Sequence, residues 1–352
     1  MTRQYEVKIT IMSATASPKK PSKKSYIILG VMVVLGIAAW STYWSIGRGM
    51  ISDTLTNTQK VAAAEGDVFD CANKRVGGYP FRFEVTCSPL RIERDGQTVF
   101  AHEVRGVALA YQPMHMIFEA DSPFEAVAGP GGPGYAATWD MARLSANLAE
   151  RKIEKADMVI ENPSLSVVAL DTPLTMAARN AEVHIRANGE EGEALDAAIL
   201  LQQLTSETMA LDLPIDLELI VTAPKGGSAL EGKVRSLQDL LVDGKVDLIV
   251  RSARLSSGTF YLQTEGPVTV DEQGRLSGTL PVTISGVDKL AAVLKPLFPE
   301  GSQLPQNLQA TALSIGKSNM VDGQPTIQLP ITLDRGRARI AFINLGRVPN
   351  LF

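Results

Sequence analysis

Cysteine has the most specific chemistry of any residue type in this chain, and it occurs twice, as Cys71 and Cys87. Both follow the segment that we expect to cross a membrane, and two thiols in an oxidising compartment most often form a disulfide. Closing a loop of about 16 residues contributes roughly 3 kcal/mol in the chain-entropy model. The alternative is a metal site, but the nearest histidine, His102, is remote in sequence and Cys-x2-Cys spacing is absent. We therefore predict a Cys71–Cys87 disulfide and no metal site.

Motifs of known catalytic sites are missing from the sequence. It contains no Gly-x-Ser-x-Gly elbow, no His-Glu-x-x-His helix and no acidic EF-hand loop. Gly316-Lys317-Ser318 resembles the end of a P-loop, but Thr311 stands where that motif requires its first glycine. His115 and His184 fall in alternating segments, where a position on the polar face of a strand or at a barrel rim is the ordinary expectation. We expect no catalytic residue, no cofactor and a function that is not enzymatic.

The elements that position these residues begin with a membrane anchor. Residues 26–47 contain no charge, and some 21 residues of helix reach roughly 32 Å, enough to cross a hydrocarbon core. Four lysines precede this run and favour a cytoplasmic N-terminus: Lys19, Lys20, Lys23 and Lys24. Aromatic residues near both ends of the run favour a retained anchor over the alternative, a cleaved signal peptide.

The anchor divides the chain into four predicted parts. Residues 1–25 are a cytoplasmic tail, residues 26–46 the transmembrane anchor, residues 47–65 a juxtamembrane helix or linker, and residues 66–352 a periplasmic β-rich domain. Residues 1–47 have a net charge of +5, and because the whole chain has −4, the remainder has −9. An acidic domain without a basic cluster lacks the electrostatic footprint of a nucleic-acid-binding protein. We predict a single-pass inner-membrane protein with a periplasmic C-terminal domain and no nucleic-acid partner.

Most of the exported sequence has a period of two, which is typical of strands with one buried face. The apolar members of seven such runs are Phe81, Phe83 and Val85; Met114, Met116 and Phe118; Leu174, Met176 and Ala178; Val183 and Ile185; Ile215, Leu217 and Leu219; Val246, Leu248 and Val250; and Ile327, Leu329 and Ile331. Between residues 243 and 286 the pattern predicts successive hairpins, since Asp-Gly pairs suit tight turns. The predicted fold is mainly β: a single N-terminal transmembrane helix followed by a curved, mostly antiparallel sheet domain.

Helical periodicity is confined to three stretches beyond the anchor. Ile51 to Ala64 continues the anchor and is expected to prolong its helix. Leu230–Leu241 and Val287–Phe298 each place leucines on one face, and prolines close the second of them. We therefore expect a few helices that cover the sheet.

The apolar strand residues are candidates for a lipid-binding surface. A sheet that curls with its apolar face inward forms a conduit for acyl chains. Met114, Met116, Phe118 and Met176 lie on the apolar side of their predicted strands, and methionine suits a pliable lining. The alternative is that these side chains fill a core beneath a helix or a second sheet. The sequence leaves both interpretations open.

The stretch from Cys71 to Pro89 resembles the family known as domain of unknown function 2125. It contains Gly78-Tyr79-Pro80-Phe81-Arg82 between the two cysteines, followed by alternating residues. Three further stretches are similar to the same family: Trp139–Glu150, Gly266–Ser285 and Val321–Phe352. The resemblance implies a single-pass envelope protein of alphaproteobacteria. Since that family is distantly similar to AsmA-like envelope proteins, it also implies a link to phospholipid movement between membranes.

The shared motif also has a purely structural interpretation. Gly78 frees the backbone, Pro80 fixes φ at the first residue of a strand, and Phe81 and Phe83 are expected to begin its buried face. A structural role of this kind assigns no reaction to the motif.

We therefore expect a non-enzymatic inner-membrane protein that binds a lipid or another amphiphile, or supports envelope lipid homeostasis. A structural or adaptor protein that docks an envelope partner through a sheet edge is the alternative, and an envelope hydrolase is the third possibility. The expected partners are the inner membrane and either a phospholipid or an envelope protein.

Overall fold

The chain divides into two compact units, Met1–Gly47 and Arg48–Phe352. The computed structural model describes residues 23–129, 131–149, 152–168, 173–189, 192–209, 211, 213–231, 237–298, 301–321, 323–341 and 343–351. Residues 1–22, most of the predicted cytoplasmic tail, lie outside the described residues.

The first element is a long helix, α1, which covers Lys23–Glu65 and has 43 residues. Its most apolar window has a mean hydropathy of 1.9 and is not buried, so α1 is long and apolar enough to cross a membrane. The hydroxyls of Ser41, Thr42 and Ser45 each donate to the carbonyl one turn back, at 2.8 to 2.9 Å. These bonds satisfy the hydroxyls without water. The predicted extension through residues 51–64 is confirmed.

A glycine ends α1. Gly66 has a φ of 85°, and its N–H donates to the carbonyl of Ala63 at 3.3 Å, while the N–H of Asp67 donates to that of Ala62 at 2.9 Å. This pair of bonds is a Schellman cap, which requires a positive φ at the residue after the helix. The chain leaves α1 in the reverse direction and enters the sheet two residues later.

The remaining described residues are mostly strands of one sheet. The strands are β1 Val68–Cys71, β2 Arg75–Gly77, β3 Arg82–Cys87, β4 Leu90–Arg94, β5 Gln97–Leu109, β6 Gln112–Val127, β7 Gly134–Thr138, β8 Met141–Ala149, β9 Lys152–Glu161, β10 Ser164–Val167, β11 Leu174–Ala177, β12 Asn180–Asn188, β13 Ala194–Leu204, β14 Ile215–Ala223, β15 Lys245–Ser257, β16 Phe260–Asp271, β17 Leu276–Ser285, β18 Lys317–Val321, β19 Gln324–Asp334, β20 Arg337–Ile340 and β21 Ile343–Arg347. The predicted mainly β fold class is confirmed.

Every pairing between these strands is antiparallel, and the sheet is not closed. Short strands lie end to end along longer ones: β4 and β3 along β5, and β7 and β8 along β6. The main ladder continues from β8 to β9 and then skips to β12, while β7 pairs with β10 and β10 with β11. From β12 it follows chain order through β17 to β19. Beyond β19, the strands β18 and β20 both pair with it, and β21 pairs with β20. A continuous ladder therefore links β3 to β19.

Tight turns with positive φ join many neighbouring strands. Asp95 and Gly96, between β4 and β5, have φ values of 52° and 77°, as a type I′ turn requires. The hairpins predicted for residues 243–286 are confirmed as β15, β16 and β17.

Two helices pack against the C-terminal end of the sheet. They are α2, Leu290–Leu294, with a 3-10 turn on each side, and α3, Leu304–Ile315. The core between helices and sheet consists of Phe260, Val282, Ile284, Leu290, Leu308, Ala312, Leu329 and Ile340. The predicted helix over Val287–Phe298 is confirmed in this interrupted form.

Two helix assignments differ from the sequence prediction. Leu230–Leu241 is not one helix, because its described residues belong to two 3-10 turns, Gly227–Glu231 and Leu237–Leu240. One short turn already buries Leu230, which is 4% exposed. Helix α3 was not predicted, because polar residues such as Thr311 interrupt its apolar face. The Thr311 hydroxyl donates to the Asn307 carbonyl at 2.7 Å and so tolerates burial.

Leu308 provides a test of the packing between α3 and the sheet. It is 8% exposed, whereas Leu313 on the same helix is 57% exposed. We expect Leu308→Ala to lower the free energy of unfolding by about 2–5 kcal/mol through lost contacts and a cavity. Leu313→Ala should change it by no more than about 0.5 kcal/mol. Urea unfolding of the full chain, followed by circular dichroism, measures both, and equal losses would contradict the packing.

Candidate functional site

The two cysteines are joined as predicted. Cys71 at the end of β1 and Cys87 at the end of β3 form a disulfide with a Cα–Cα distance of 4.8 Å, and they are 5% and 6% exposed. The bridge connects the first strand after α1 to the strand that begins the main ladder. Among the described residues, no group of three or more His, Cys, Asp or Glu side chains has the arrangement of a metal site.

The Gly-Tyr-Pro-Phe-Arg motif forms a turn before β3. Gly78 has a φ of 95°, and a Cβ at this position would lie 2.6 Å from the Arg82 carbonyl oxygen. The backbone N–H of Arg82 donates to the Gly78 oxygen at 3.0 Å. The expectation that Phe81 begins the buried face is wrong, since its side chain is 67% exposed while Phe83 is 7% exposed. Phe81 and Pro80 lie in the turn, and β3 begins only at Arg82.

Strand register places apolar side chains of successive strands directly opposite one another. Three cross-strand rows share one face, which we call the apolar face. The first row is Met116, Ala146, Ala156, Ile185, Ala197 and Val221; the second is Phe118, Leu144, Met158, Val183, Ile199 and Leu219; the third is Ala120, Ala142, Ile160, Ala181, Leu201 and Leu217. The third row continues through Leu255, Leu262 and Ile284 to Ile327. One face is therefore apolar from β6 to β19.

The apolar face is covered at one end and open in the middle. On β17 and β19, beneath α2 and α3, Val282 and Leu329 are each 3% exposed. On β13 and β14, Ile199 and Leu219 are 42% and 38% exposed, and no side chain of the second row is buried. All four side chains lie on the same face of the sheet. The difference in their exposure therefore comes from the covering helices α2 and α3 and not from the alternation along the strands.

The predicted lining residues occupy two parts of the sheet. Met116 and Phe118 lie in the first and second rows of the apolar face, and Met114 precedes them on β6 with 55% exposure. Met176 lies elsewhere, opposite Leu165 in the branch formed by β7, β10 and β11. Ile199 and Leu219 were not predicted as lining residues, although alternation on β13 and β14 is visible in the sequence. Only the register of pairing shows that they continue the row of Phe118.

The opposite face of the sheet is polar and carries cross-strand ion pairs. Arg143 on β8 meets Glu119 on β6 at 2.8 Å, and Glu119 also lies 3.6 Å from Arg105 on β5. His115 and His184 both lie on this face, as predicted, and the His115 Nε2 is 3.0 Å from the Ser145 hydroxyl. Alternating charges neutralise one another along the rows, so this face is adapted to water.

His184 is the centre of a polar cluster on this face. Its Nδ1 lies 2.8 Å from Asp157 and its Nε2 lies 2.9 Å from Glu182. The hydrogen bond to Asp157 raises the pKa of His184 above 6.5, burial opposes this, and the bond to Glu182 adds to it. Partial burial pushes the pKa of Asp157 upward, but hydrogen bonds from Lys155 and His184 outweigh it and lower that pKa below 3.8. The two carboxylate partners favour the protonated form of the ring.

A depression of about 540 Å³ adjoins this cluster on the polar face. Asp196 lies in it and accepts hydrogen bonds from Thr222 at 2.7 Å, Asn188 at 2.9 Å and Arg186 at 3.0 Å. The charged groups in the depression are thus engaged with each other. The arrangement stabilises neighbouring strands and resembles the rest of the polar face.

These features define a class of protein that combines one helix long and apolar enough to span a membrane with a large, open antiparallel sheet. The family described as "Uncharacterized protein conserved in bacteria (DUF2125)" matches residues 44–349, and the chain belongs to this family. No curated protein and no solved structure matches the chain. The family resemblance of the Gly78–Arg82 region is confirmed, and the likeness to AsmA-like proteins stays a prediction.

The His184 cluster predicts a pH-dependent stability. A group whose pKa is raised on folding stabilises the fold below its unfolded pKa of about 6.5 and loses that effect as pH rises through the folded pKa. The native chain should therefore have a larger free energy of unfolding than His184→Gln near pH 6, and this difference should shrink by about pH 9. Urea unfolding of both chains at the two pH values measures this. A difference in the free energy of unfolding that grows with pH would contradict the raised pKa of His184.

Proposed function

We propose that this chain is a membrane-anchored protein that holds phospholipid acyl chains along the open part of its apolar face. The observation that supports this most strongly is the exposure of Ile199 and Leu219 on a face whose other end, at Val282 and Leu329, is fully covered. Soluble proteins rarely leave a contiguous apolar surface in water, and those that do use it for binding. An acyl chain supplies the missing cover without requiring a specific polar partner.

The dimensions of the open part suit an acyl chain. Six strands from β6 to β14 have five gaps of about 4.8 Å, or about 24 Å across the strands. Three rows along each strand add a width of about 13 Å. One leaflet of a bilayer has a hydrocarbon depth of about 15 Å, half of the core. The footprint of about 300 Å² is comparable to the largest apolar patch on a typical monomer, about 300–600 Å², and such patches are often functional.

The anchor and the charge of the chain support an exported sheet domain. The lysines before α1 favour a cytoplasmic N-terminus by the positive-inside rule. A buried disulfide between Cys71 and Cys87 is typical of an oxidising compartment. In our proposal the chain crosses the inner membrane once, and the acidic sheet domain lies in the periplasm.

The proposed role is binding and not catalysis. His184, whose pKa is shifted, is held by two carboxylates on the polar face. The apolar face, in contrast, carries aliphatic, aromatic and methionine side chains, which sequester acyl chains but have no groups for acid–base chemistry. Lipid retention is the function that this surface suits best.

Ile199 and Ala198 provide a matched test, because they are adjacent on β13 and face opposite sides of the sheet. We expect Ile199→Asp to lose bound phospholipid, since a carboxylate in the middle row makes acyl contact costly. Ala198→Asp introduces the same charge on the polar face, in the depression that Lys155 and Arg186 also line. This variant should retain its bound phospholipid. Full-length chains are purified from bacterial membranes in mild detergent, and phospholipid per chain is counted by mass spectrometry.

Both variants keep the same lipid around α1. A difference in phospholipid per chain between them therefore reports on lipid bound to the sheet. Equal lipid content in Ile199→Asp, Ala198→Asp and the native chain would reject the proposal. A lipid-free native chain that instead cross-links to one envelope protein through a sheet edge would favour the adaptor hypothesis.

A further inference from the structure

A cluster of exposed aromatic and apolar side chains occurs at one end of the early strands. Phe81 and Tyr111 are 67% and 66% exposed, Met114 is 55% and Tyr79 is 53% exposed. Large apolar side chains at this exposure are costly in water when they are neighbours. The apolar face accounts for only Met114, so the cluster calls for an explanation of its own. We call these four residues the aromatic tip.

Two backbone segments bring the aromatic tip together. The first is the turn from Gly78 to Arg82, closed by the 3.0 Å bond between Arg82 N–H and the Gly78 oxygen. The second is the β5–β6 hairpin, which contains Tyr111 just before β6 and Met114 as the third residue of that strand. The N–H of Ala110 donates to the Phe81 oxygen at 2.8 Å, so the turn and the hairpin are hydrogen-bonded neighbours. Because only glycine fits at position 78, the turn presents its aromatic residues in a fixed direction.

The position of the aromatic tip along α1 follows from contacts within the Arg48–Phe352 unit. After the cap at Gly66, β1 and β2 run back along the helix, and Lys74 Nζ lies 3.0 Å from Thr56 Oγ1 and 3.4 Å from the Ser52 oxygen. The three or four residues from Lys74 to the turn advance a further 10–13 Å or so at about 3.3 Å per residue. On a helix with a rise of about 1.5 Å, that distance corresponds to roughly eight residues. The aromatic tip therefore lies at the level where α1 leaves this unit at Arg48.

We propose that the aromatic tip enters the headgroup region of the membrane that α1 crosses. The predicted span ends at residue 46, two residues before this unit begins at Arg48. Tyrosine is favoured at the headgroup level because its ring is apolar and its hydroxyl is polar, while phenylalanine and methionine reach the acyl boundary. Interfacial segments bury apolar side chains about 5–10 Å deep. This inference rests on the membrane anchorage contained in the proposed function.

The same placement specifies where lipid reaches the apolar face. Met114 in the tip lies two residues before Met116 on β6, and the side chains of Met116 and Phe118 share one side of that strand. The apolar face therefore begins at the tip and continues towards β14. An acyl chain that leaves the bilayer at the tip meets apolar side chains without crossing the polar face.

Fluorescence depth measurements test the aromatic tip. The native cysteines are both in the disulfide, so Phe81→Cys and Tyr111→Cys each introduce a single reactive thiol for an environment-sensitive probe. Met320→Cys is the control, because Met320 is 63% exposed and lies on β18 at the other end of the ladder. The full chains are reconstituted into phosphatidylethanolamine–phosphatidylglycerol vesicles that contain lipids with a nitroxide near the headgroup.

We expect blue-shifted emission and strong quenching at positions 81 and 111, and neither at position 320. Emission from either tip position that matches the Met320→Cys chain would overturn the inference. Thermal unfolding of each labelled chain checks that the fold is retained. We expect this, because all three native side chains are highly exposed and their replacement removes few contacts. A tip that stays in water while Ile199→Asp still loses phospholipid would reject only this inference. A tip in the membrane with no lipid on the sheet would reject only the proposed function.

Discussion

In-register antiparallel pairing is the constraint on which the rest of this structure depends. Side chains alternate across a strand, and directly opposed residues share a face, so an apolar residue at every second position yields one continuous apolar surface. A slip of β8 by one residue against β6 would place Arg143 on that surface, opposite an apolar residue of β6. The ion pair between Arg143 and Glu119 at 2.8 Å stabilises the observed register from the polar side. Both faces therefore specify the same pairing.

The difference between the two ends of the apolar face links the fold to the proposed function. At the C-terminal end α2 and α3 supply a second layer, and Val282 is 3% exposed. Around β13 the same face retains exposed aliphatic side chains. A sheet with one face covered by helices and one face in water is an ordinary architecture. A sheet that is covered over only part of its apolar face has a place for another apolar molecule, and in our proposal an acyl chain takes that place.

Local features of the fold were predictable from the sequence, and features that depend on distant partners were not. Alternation identified strands such as β6 and β19, and the two cysteines predicted their bridge. The exposure of Phe81 was mispredicted because the alternation around Phe83 extends, in sequence, into the turn that Gly78 begins. The pairing of β9 with β12 skips two strands, and alternation alone carries no information about such partners. Met116 and Phe118 were found by their periodicity, but Ile199 and Leu219 became part of the site only through register.

The central claim is that the middle of the apolar face is in contact with acyl chains. Photo-crosslinking measures this directly when benzoylphenylalanine replaces Leu219 or, as the matched position on the other face, Ile220 in full-length chains within bacterial membranes. The account predicts phospholipid adducts by mass spectrometry from position 219 and none from position 220. Equal yields at the two positions, or adducts at position 219 with protein alone, would contradict it.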